Sequence, residues 1–183
     1  SYLRTVDTPS DAGSSVTVTW TKSADDRLLP RSAANALGGT GAATDQVPGV
    51  MGYQVTRKAG DGEYALIAKM GAGESSFEDV TALNGVRYTY QVSPYDADNV
   101  SISALERSAM AVRNNVVDKD GKPVYGLFGS DSGVGFDDFF IFADNFGLTA
   151  ADEAYDPAFD LVHSTGTPKI DFNDFFLFAD NFG

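Results

Sequence analysis

The chain has 183 residues, no cysteine and a formal net charge of -13, with a pI near 4.2. The lack of cysteine excludes disulfides, thiolate nucleophiles and cysteine-based zinc sites. The acidic balance disfavours nucleic acid as a partner, because phosphates require a basic surface. No segment approaches the roughly 18 apolar residues that cross a bilayer, so we expect no membrane span. The length suits one ordinary domain with a small second one, and a hydrophobic fraction of 43% is normal for a globular protein.

Apolar and polar side chains alternate in short runs from residue 11 to about residue 113. Turn residues separate these runs, which is typical of an antiparallel β-sandwich. The turn at 60–62 and the turn at 96–99 each predict a hairpin. The predicted strands are 16–20, 51–55, 64–68, 88–92, 100–104 and 108–112.

Three of these segments resemble a fibronectin type III domain. The resemblance rests on Trp20, on residues 52–55, and on residues 83–92, which look like the tyrosine-corner segment of that family. It covers residues 1–113 and implies a spacer or binding module without catalytic activity. One departure is the long connection at 25–48, rich in Ala, Gly and Thr, which we expect to pack on the second module or on a neighbouring subunit.

The end of the chain contains a near-exact duplication. Residues 114–126 are polar and predict a linker with a turn at Asp120 and Gly121. Beyond it, residues 136–147 return 36 positions later as residues 172–183, with ten of twelve positions identical. Ten of the 13 phenylalanines lie in these two copies. Such a pair predicts a pseudo-twofold module in which each half covers the apolar face of the other.

Each copy predicts a helix that begins at an aspartate, Asp138 or Asp174, and ends at a glycine, Gly147 or Gly183. At about 100° per residue, each helix has one apolar stripe, and the two stripes should face each other. The stripe residues are Phe139, Phe142, Ala143 and Phe146 in the first copy and Phe175, Phe178, Ala179 and Phe182 in the second.

Four large apolar side chains fall outside these stripes: Phe140, Ile141, Phe176 and Leu177. Burying a phenylalanine contributes roughly 1.5 to 3 kcal/mol, so these side chains represent several kcal/mol that docking could use. Either they pack on the sandwich or linker of the same chain, or they bind a partner. We take all four as candidate partner-binding residues.

The segments before the helices contain candidate calcium ligands. An EF-hand loop places oxygen ligands at positions 1, 3, 5 and 12. With Asp138 at position 12, Asp131 occupies position 5, but positions 1 and 3 hold Leu127 and Gly129. In the second copy, the loop is fifteen residues long instead of twelve. The candidate Ca²⁺ ligands are Asp131, Asp138, Asp160, Asp171 and Asp174. Alternatively, Asp138 and Asp174 cap the helices and need no metal.

With these loops, residues 127–183 resemble a degenerate type I dockerin, a duplicated loop-helix module of secreted bacterial proteins. The segments 133–140 and 169–176 carry the likeness. In that family the helices bind a cohesin on another protein, so the resemblance implies secretion and a protein partner. The Phe-rich helix faces depart from the ordinary dockerin surface.

Catalytic motifs are missing from the sequence. His163 is the only histidine, and the chain has no Gly-x-Ser-x-Gly or His-x-x-x-His motif. We therefore expect His163 to be a surface residue and the chain not to be an enzyme. The triplet at 99–101 is a glycosylation sequon, which makes Asn99 a candidate acceptor.

The sequence thus predicts a mainly β protein with a small α module. An antiparallel immunoglobulin-like or fibronectin type III β-sandwich occupies 1–113, a linker 114–126, and a pseudo-twofold helical pair 127–183. The predicted function is non-catalytic extracellular assembly, with the chain as a self-associating subunit of a surface layer, filament or tube. The alternative is a tethering tail or adaptor of a secreted enzyme that binds a cohesin-like or cell-surface partner.

Overall fold

The computed structural model of the chain describes residues 2–9, 11, 13–26, 28–30, 46–102, 105–113, 116–129, 132–163 and 165–183. The strands within these ranges are β1 (Leu3–Asp7), β2 (Val16–Trp20), β3 (Leu28–Pro30), β4 (Gln46–Pro48), β5 (Gly52–Ala59), β6 (Ala65–Gly71), β7 (Ser76–Asp79), β8 (Arg87–Tyr95) and β9 (Arg107–Met110). The helices are α1 (Phe136–Asn145) and α2 (Phe172–Ala179), and a single 3-10 turn covers Pro157–Phe159. Within the described ranges, no helix is both long and apolar enough to cross a membrane.

Two antiparallel sheets enclose the first hydrophobic core, as the sequence predicted. One sheet has the strand order β1-β2-β7, and the other has the order β6-β5-β8-β9. Val16, Val18 and Trp20 of β2 are buried and the threonines between them are not, because successive side chains of a strand point to opposite faces. Tyr53 and Val55 of β5 close the core from the other sheet, with the Tyr53 ring 5.4 Å from that of Trp20.

Most of the predicted strands are confirmed to within a few residues. The prediction omitted β1 and β7, the two edges of the smaller sheet. In both strands an aspartate, Asp7 or Asp79, occupies a buried position, so the local pattern lacks a continuous apolar face. The predicted strand at 100–104 is wrong in extent. Val100 makes one bridge to Tyr95, residues 101 and 102 have no regular structure, and residues 103 and 104 lie outside the described residues.

The predicted insertion at 25–48 contains a small antiparallel ladder, since β3 pairs with β4. Residues 27 and 31–45 lie outside the described residues. The packing of this insertion on the second module or on a neighbouring subunit therefore stays a prediction.

A second hydrophobic core joins the C-terminal module to the sandwich. Its buried members are Met110, Val112, Leu127, Phe128, Val134, Phe142, Tyr155, Phe159, Ile170 and Phe178. Because Met110 is the last residue of β9, this core includes part of the sandwich. Within the segment predicted as a linker, residues 116–124 form a hairpin with a bridge between Val117 and Pro123. Val116 and Val124 of this hairpin pack against the same core.

Candidate protein-binding surface

The helices α1 and α2 form the pseudo-twofold pair that the duplication predicted. Phe142 and Phe178 occupy equivalent positions in the two copies, and their rings stack with centroids 5.5 Å apart and planes 11° apart. Two backbone hydrogen bonds repeat the same relation, from Gly147 N–H to the Ile170 oxygen (2.8 Å) and from Gly183 N–H to the Val134 oxygen (3.1 Å). The core phenylalanine Phe128 stacks against both central rings, at 6.4 and 6.3 Å.

The carboxylate of Asp138 closes the N-terminus of α1. Its Oδ2 accepts a hydrogen bond from Gly135 N–H at 2.9 Å, and its Oδ1 accepts from Phe128 N–H at 2.7 Å and Gly129 N–H at 2.8 Å. The helix begins at Phe136, two residues before the predicted start, so Asp138 lies inside the first turn. A carboxylate there also offsets the positive end of the helix dipole.

Asp174 repeats this arrangement at the N-terminus of α2. Its Oδ2 accepts from Asp171 N–H at 2.7 Å, and its Oδ1 accepts from Val162 N–H at 2.8 Å. Asp171 is the N-cap, and its own side chain accepts from Asn173 N–H. In the second copy the aspartate pair therefore forms a reciprocal capping box.

The candidate calcium ligands do not fit a metal ion in this arrangement. Within the described ranges, no three Asp, Glu or His side chains come together in a group that could hold one. Asp138 and Asp174 direct both carboxylate oxygens at backbone N–H groups, and Asp131 lies outside the described residues. Calcium binding stays a prediction, and it would require these carboxylates to release the hydrogen bonds that close the helices.

Asp160 lies in a cleft of about 290 Å³ between the two modules. It is only 4% exposed, and its Oδ2 accepts a hydrogen bond from the Tyr155 hydroxyl at 2.7 Å. Its buried Oδ1 accepts no hydrogen bond from the part of the chain that the structure describes. Burial and this carboxylate raise the pKa of Tyr155 above its ordinary value. The exposed His163 lies at the same cleft with Nδ1 3.7 Å from Asp160 Oδ1, so the expectation of a surface histidine is confirmed.

Two buried carboxylates that sequence reasoning did not identify join the sandwich to the helical module. Asp7 Oδ1 accepts from Val112 N–H at 2.8 Å, and Asp156 Oδ2 accepts from Asp7 N–H at 2.7 Å. Burial raises the pKa of Asp7 to about 8, and the nearby charges of Asp156 and Asp11 act in the same direction. Burial also raises the pKa of Asp156. The alternation Leu3, Thr5, Asp7 is the signal that places Asp7 on the inner face of β1.

Six phenylalanine rings of the helical pair remain between 40% and 70% exposed. The duplication divides them into two equivalent sets, one of Phe136, Phe140 and Phe182 and the other of Phe172, Phe176 and Phe146. The rings of Phe136 and Phe182 meet edge to face at 5.2 Å, and those of Phe172 and Phe146 do so at 5.1 Å. We call these six side chains the aromatic surface.

The four predicted partner-binding residues divide between the exterior and the interior. Phe140 is 63% exposed and Phe176 is 60% exposed, so both are available to a partner. Ile141 and Leu177 are only partly exposed, and Ile141 packs against the second core. The Ile141 side chain thus has packing contacts within the chain, and partner binding by these four residues stays a prediction. Phe136 and Phe172 were not predicted as surface residues because they precede the predicted helix starts.

The predicted apolar stripes are narrower than the periodicity indicated. Phe142 and Phe178 are buried at the centre of the pair, as expected. Ala143 and Ala179 are exposed instead of facing each other. Phe139 and Phe175 are half-buried against the second core, and Phe146 and Phe182 are about 40% exposed.

Negative charge is concentrated around the aromatic surface. Residues 127–183 contain eleven Asp or Glu residues and one Lys, a net charge of -10 out of the -13 of the whole chain. Asp137 and Asp144 of α1 are exposed on the same helix as Phe136 and Phe140. A partner of this surface must therefore tolerate or neutralise carboxylates.

The candidate glycosylation site lies on the sandwich, far along the chain from the helical pair. Asn99 is exposed in the turn that follows β8, and its backbone N–H donates to Asp96 Oδ1 at 2.7 Å. The position is accessible, and its glycosylation stays a prediction.

Among solved structures, the chain is similar to an Fn3-like protein from Clostridium thermocellum, with 22% identity over 60% of this chain and 86% of the other and a TM-score of 0.40. It is also similar to the twitchin kinase region of C. elegans, with 16% identity over 79% of this chain and 21% of the other and a TM-score of 0.38. A third similar structure is the pectate lyase Pel3 of Pectobacterium carotovorum, with 14% identity over 68% of this chain and 29% of the other and a TM-score of 0.33. The chain spans less than a third of the latter two chains. No family model matches the sequence, and no curated protein matches it at a significant level. None of these likenesses identifies the helical pair as a dockerin.

Proposed function

We propose that this chain is a non-catalytic extracellular structural protein that self-associates through the aromatic surface. The exposure of six phenylalanine rings on one small module carries the proposal. The same module buries other phenylalanines to within 2% exposure, so exposure is not a general property of its rings. Large exposed apolar patches on soluble proteins mark interaction sites.

The energy available from this surface is comparable to the free-energy cost of association. Full burial of a phenylalanine contributes roughly 1.5 to 3 kcal/mol, so covering six rings that are about half exposed contributes on the order of 4 to 9 kcal/mol. Association costs several kcal/mol of translational and rotational freedom. The expected affinity is therefore modest, and association should depend on protein concentration.

The duplication supports a polymer. Two equivalent sets of rings allow one chain to contact two others, and contacts between different patches of identical chains generate open filaments or tubes. In this proposal the sandwich is a rigid spacer, consistent with its fibronectin type III-like fold. The extracellular location rests on the two family resemblances in the sequence.

Sedimentation velocity over about 5 to 200 μM protein, with negative-stain electron microscopy of the same samples, tests the proposal. The wild type should gain mass with concentration, whereas Phe140→Ser with Phe176→Ser should stay monomeric with an unchanged circular dichroism spectrum. Val80→Ser with Leu83→Ser is the matched control, because it removes two exposed apolar side chains from the sandwich and should associate like the wild type.

A wild-type chain that remains monomeric throughout this range would overturn self-association. The remaining reading would then be the tethering tail or adaptor that binds a cohesin-like or cell-surface partner. Repeating the measurement with calcium and with a chelator would show whether an ion is required.

A further inference from the structure

We propose that the aromatic surface of one copy binds the aromatic surface of a second copy, so that two helical pairs stack face to face, and that ionic strength controls this contact. The inference rests on the proposed function and adds the receiving surface and the condition that regulates binding. The orientation of the exposed rings, the area that they offer and the charges beside them support it.

The helix α1 buries one side and exposes the other. Asp138 and Asn145 are buried. At about 100° per residue, Phe136, Phe140 and Ala143 lie within about 60° of one another on the opposite side, and all three are exposed. Each helix therefore presents two rings and a small side chain to solvent on one side. The equivalent exposed residues of α2 are Phe172, Phe176 and Ala179.

The exposed sides of the two helices face the same way. Phe136 at the start of α1 contacts Phe182 beyond the end of α2, and the ring of Phe172 at the start of α2 contacts that of Phe146 beyond the end of α1. The helices are therefore antiparallel. A pseudo-twofold axis between two antiparallel helices is perpendicular to the plane that contains them, so equivalent residues lie on the same side of this plane. The two sets of rings thus lie on one face of the helical pair.

The area of this face is close to that of a stable protein interface. The exposed fractions of the six rings together equal more than three complete phenylalanine side chains. With about 200 Å² for each side chain, the rings alone offer roughly 700 Å² per copy. A stable interface buries roughly 800 Å² per partner, so a face-to-face contact needs little area beyond the rings.

The shape of the face suits a second copy. Ala143 and Ala179 follow the central rings Phe142 and Phe178, which meet at the pseudo-twofold axis, so the middle of the face carries small exposed side chains. Rings of an opposing copy can pack there, as the side chains of one helix layer pack into the grooves of another. In exact register the contact closes as a dimer. Displaced by one set, it leaves the other set of each copy free for a third copy, which gives the polymer of the proposed function.

Carboxylates lie beside the exposed rings. Phe140 comes three residues after Asp137 and four before Asp144, and all three side chains are exposed. Phe176 comes four residues before the exposed Asp180. Positions three or four apart are neighbours on a helix surface. A face-to-face contact therefore brings the carboxylates of both copies together at its edge, where they oppose binding until salt screens them.

A mixing experiment identifies the receiving surface. Phe140→Ser with Phe176→Ser is labelled with a fluorophore at its N-terminus and held at trace concentration, while unlabelled wild type is added up to 200 μM in 500 mM NaCl. In a face-to-face contact the variant has lost the receiving surface too, so it should bind the wild type at least about tenfold more weakly than labelled wild type does. If another surface received the rings, the variant would keep that surface and bind the wild type with unchanged affinity, which would overturn the proposal.

Val80→Ser with Leu83→Ser, labelled in the same way, is the matched control. It loses two exposed apolar side chains of the sandwich and keeps all six rings. It should bind the wild type as tightly as labelled wild type does. A control that loses binding as well would place the contact on the sandwich and contradict the proposal. Unchanged circular dichroism spectra show that both variants are folded.

Ionic strength tests the regulation. Between 50 and 500 mM NaCl the Debye length falls from roughly 14 Å to roughly 4 Å, which screens the carboxylates at the edge of the contact. The dissociation constant of the wild type from sedimentation velocity should fall at least several-fold over this range. A rise would mean that opposite charges meet at the contact, and the proposal would be wrong.

Removing carboxylates separates this screening from the general effect of salt on apolar contacts. Asp144→Asn with Asp180→Asn should bind more tightly than the wild type at 50 mM NaCl, and its dissociation constant should change less with salt. Asp61→Asn with Asp98→Asn removes the same charge from exposed turns of the sandwich and should follow the wild type. Equal salt dependence in the two variants would show that the helix carboxylates lie away from the contact, contrary to the proposal.

The results distinguish this contact from self-association in general. A wild type that stays monomeric at both salt concentrations contradicts the proposed function and, with it, the face-to-face contact. If Phe140→Ser with Phe176→Ser abolishes association with itself but binds the wild type with unchanged affinity, the proposed function stands and the face-to-face contact alone is refuted.

Discussion

Replacing Asp7 with asparagine should remove much of the pH dependence of this protein's stability. The Asp7 carboxyl is 2% exposed at the junction of the two modules, and its pKa is raised to about 8 by burial and by neighbouring carboxylates. An unfolded chain has an aspartate pKa near 3.9. Between about pH 4 and pH 8 the folded protein therefore holds a proton that the unfolded chain has lost.

The sign of the effect follows from proton linkage. Because the folded state binds more protons in this window, the free energy of unfolding must fall as pH rises, by about 1.4 kcal/mol per pH unit for one proton. From pH 5 to pH 7.5 the loss is on the order of 3 kcal/mol. Asp156, whose pKa is also raised by burial, acts in the same direction, whereas Arg4 and Arg87 favour its charged form and limit its contribution.

Asparagine keeps an oxygen that can accept the Val112 N–H while removing the titration. Urea unfolding at half-unit steps from pH 5 to pH 8 should give a steep decline for the wild type and a shallow one for Asp7→Asn, with the variant more stable at pH 8. Asp61→Asn, at an exposed turn, is the control and should follow the wild type. A wild-type stability that rises over this range, or an equal slope in Asp7→Asn, would refute the reasoning.

Three further perturbations test the packing. Burial acts to raise the pKa of Asp79, but hydrogen bonds from Thr81 and the contacts of Arg57 and Tyr90 lower it overall. Asp79→Ala should therefore lower the free energy of unfolding by about 3 kcal/mol at pH 7, measured by urea unfolding. The wild type should lose part of this stability below about pH 4. An unchanged urea midpoint for the variant at pH 7 would contradict this prediction. Gly126 has a φ of +87°, and a Cβ at this position would lie 2.3 Å from the Phe178 ring. Gly126→Ala should therefore lower the melting temperature by several degrees. Gly133→Ala is the control, because a Cβ at Gly133 would have no described heavy atom within 4 Å. Millimolar calcium added to protein pretreated with a chelator should shift the melting temperature by less than about 1 °C. A rise of several degrees that Asp160→Asn removes would show that the loops rearrange to bind calcium.

The strands that could be predicted are those whose inward positions are apolar. In β2, β5 and β8, the alternation of large apolar and polar residues identifies both the strand and its buried face. In β1 and β7, the inward Asp7 and Asp79 break this pattern. Their carboxylates are stabilised by groups that are remote in sequence, since Asp7 accepts from Val112 N–H 105 residues away. A local pattern contains no information about such partners.

The junction of the modules was beyond sequence reasoning for the same reason. The segment at 114–126 is polar on average and predicted a linker, but Val116 and Val124 pack against the second core. Asp156 joins this junction through the Asp7 N–H, a contact between the two ends of the chain. Composition identifies a segment as polar, but only packing shows whether its few apolar residues have a surface to cover.

The sequence by itself determined that the C-terminal module is a pair of equivalent helices, because the two copies share ten of twelve residues and similar sequences fold alike. Only the tertiary structure decided which side chains of the pair remain in solvent. Ile141 is covered by the second core while its neighbour Phe140 is 63% exposed, although both lie outside the predicted stripe. Helical periodicity gives the direction of a side chain around its own axis. Burial depends on what other segments place in that direction, and distant parts of the chain supply those segments.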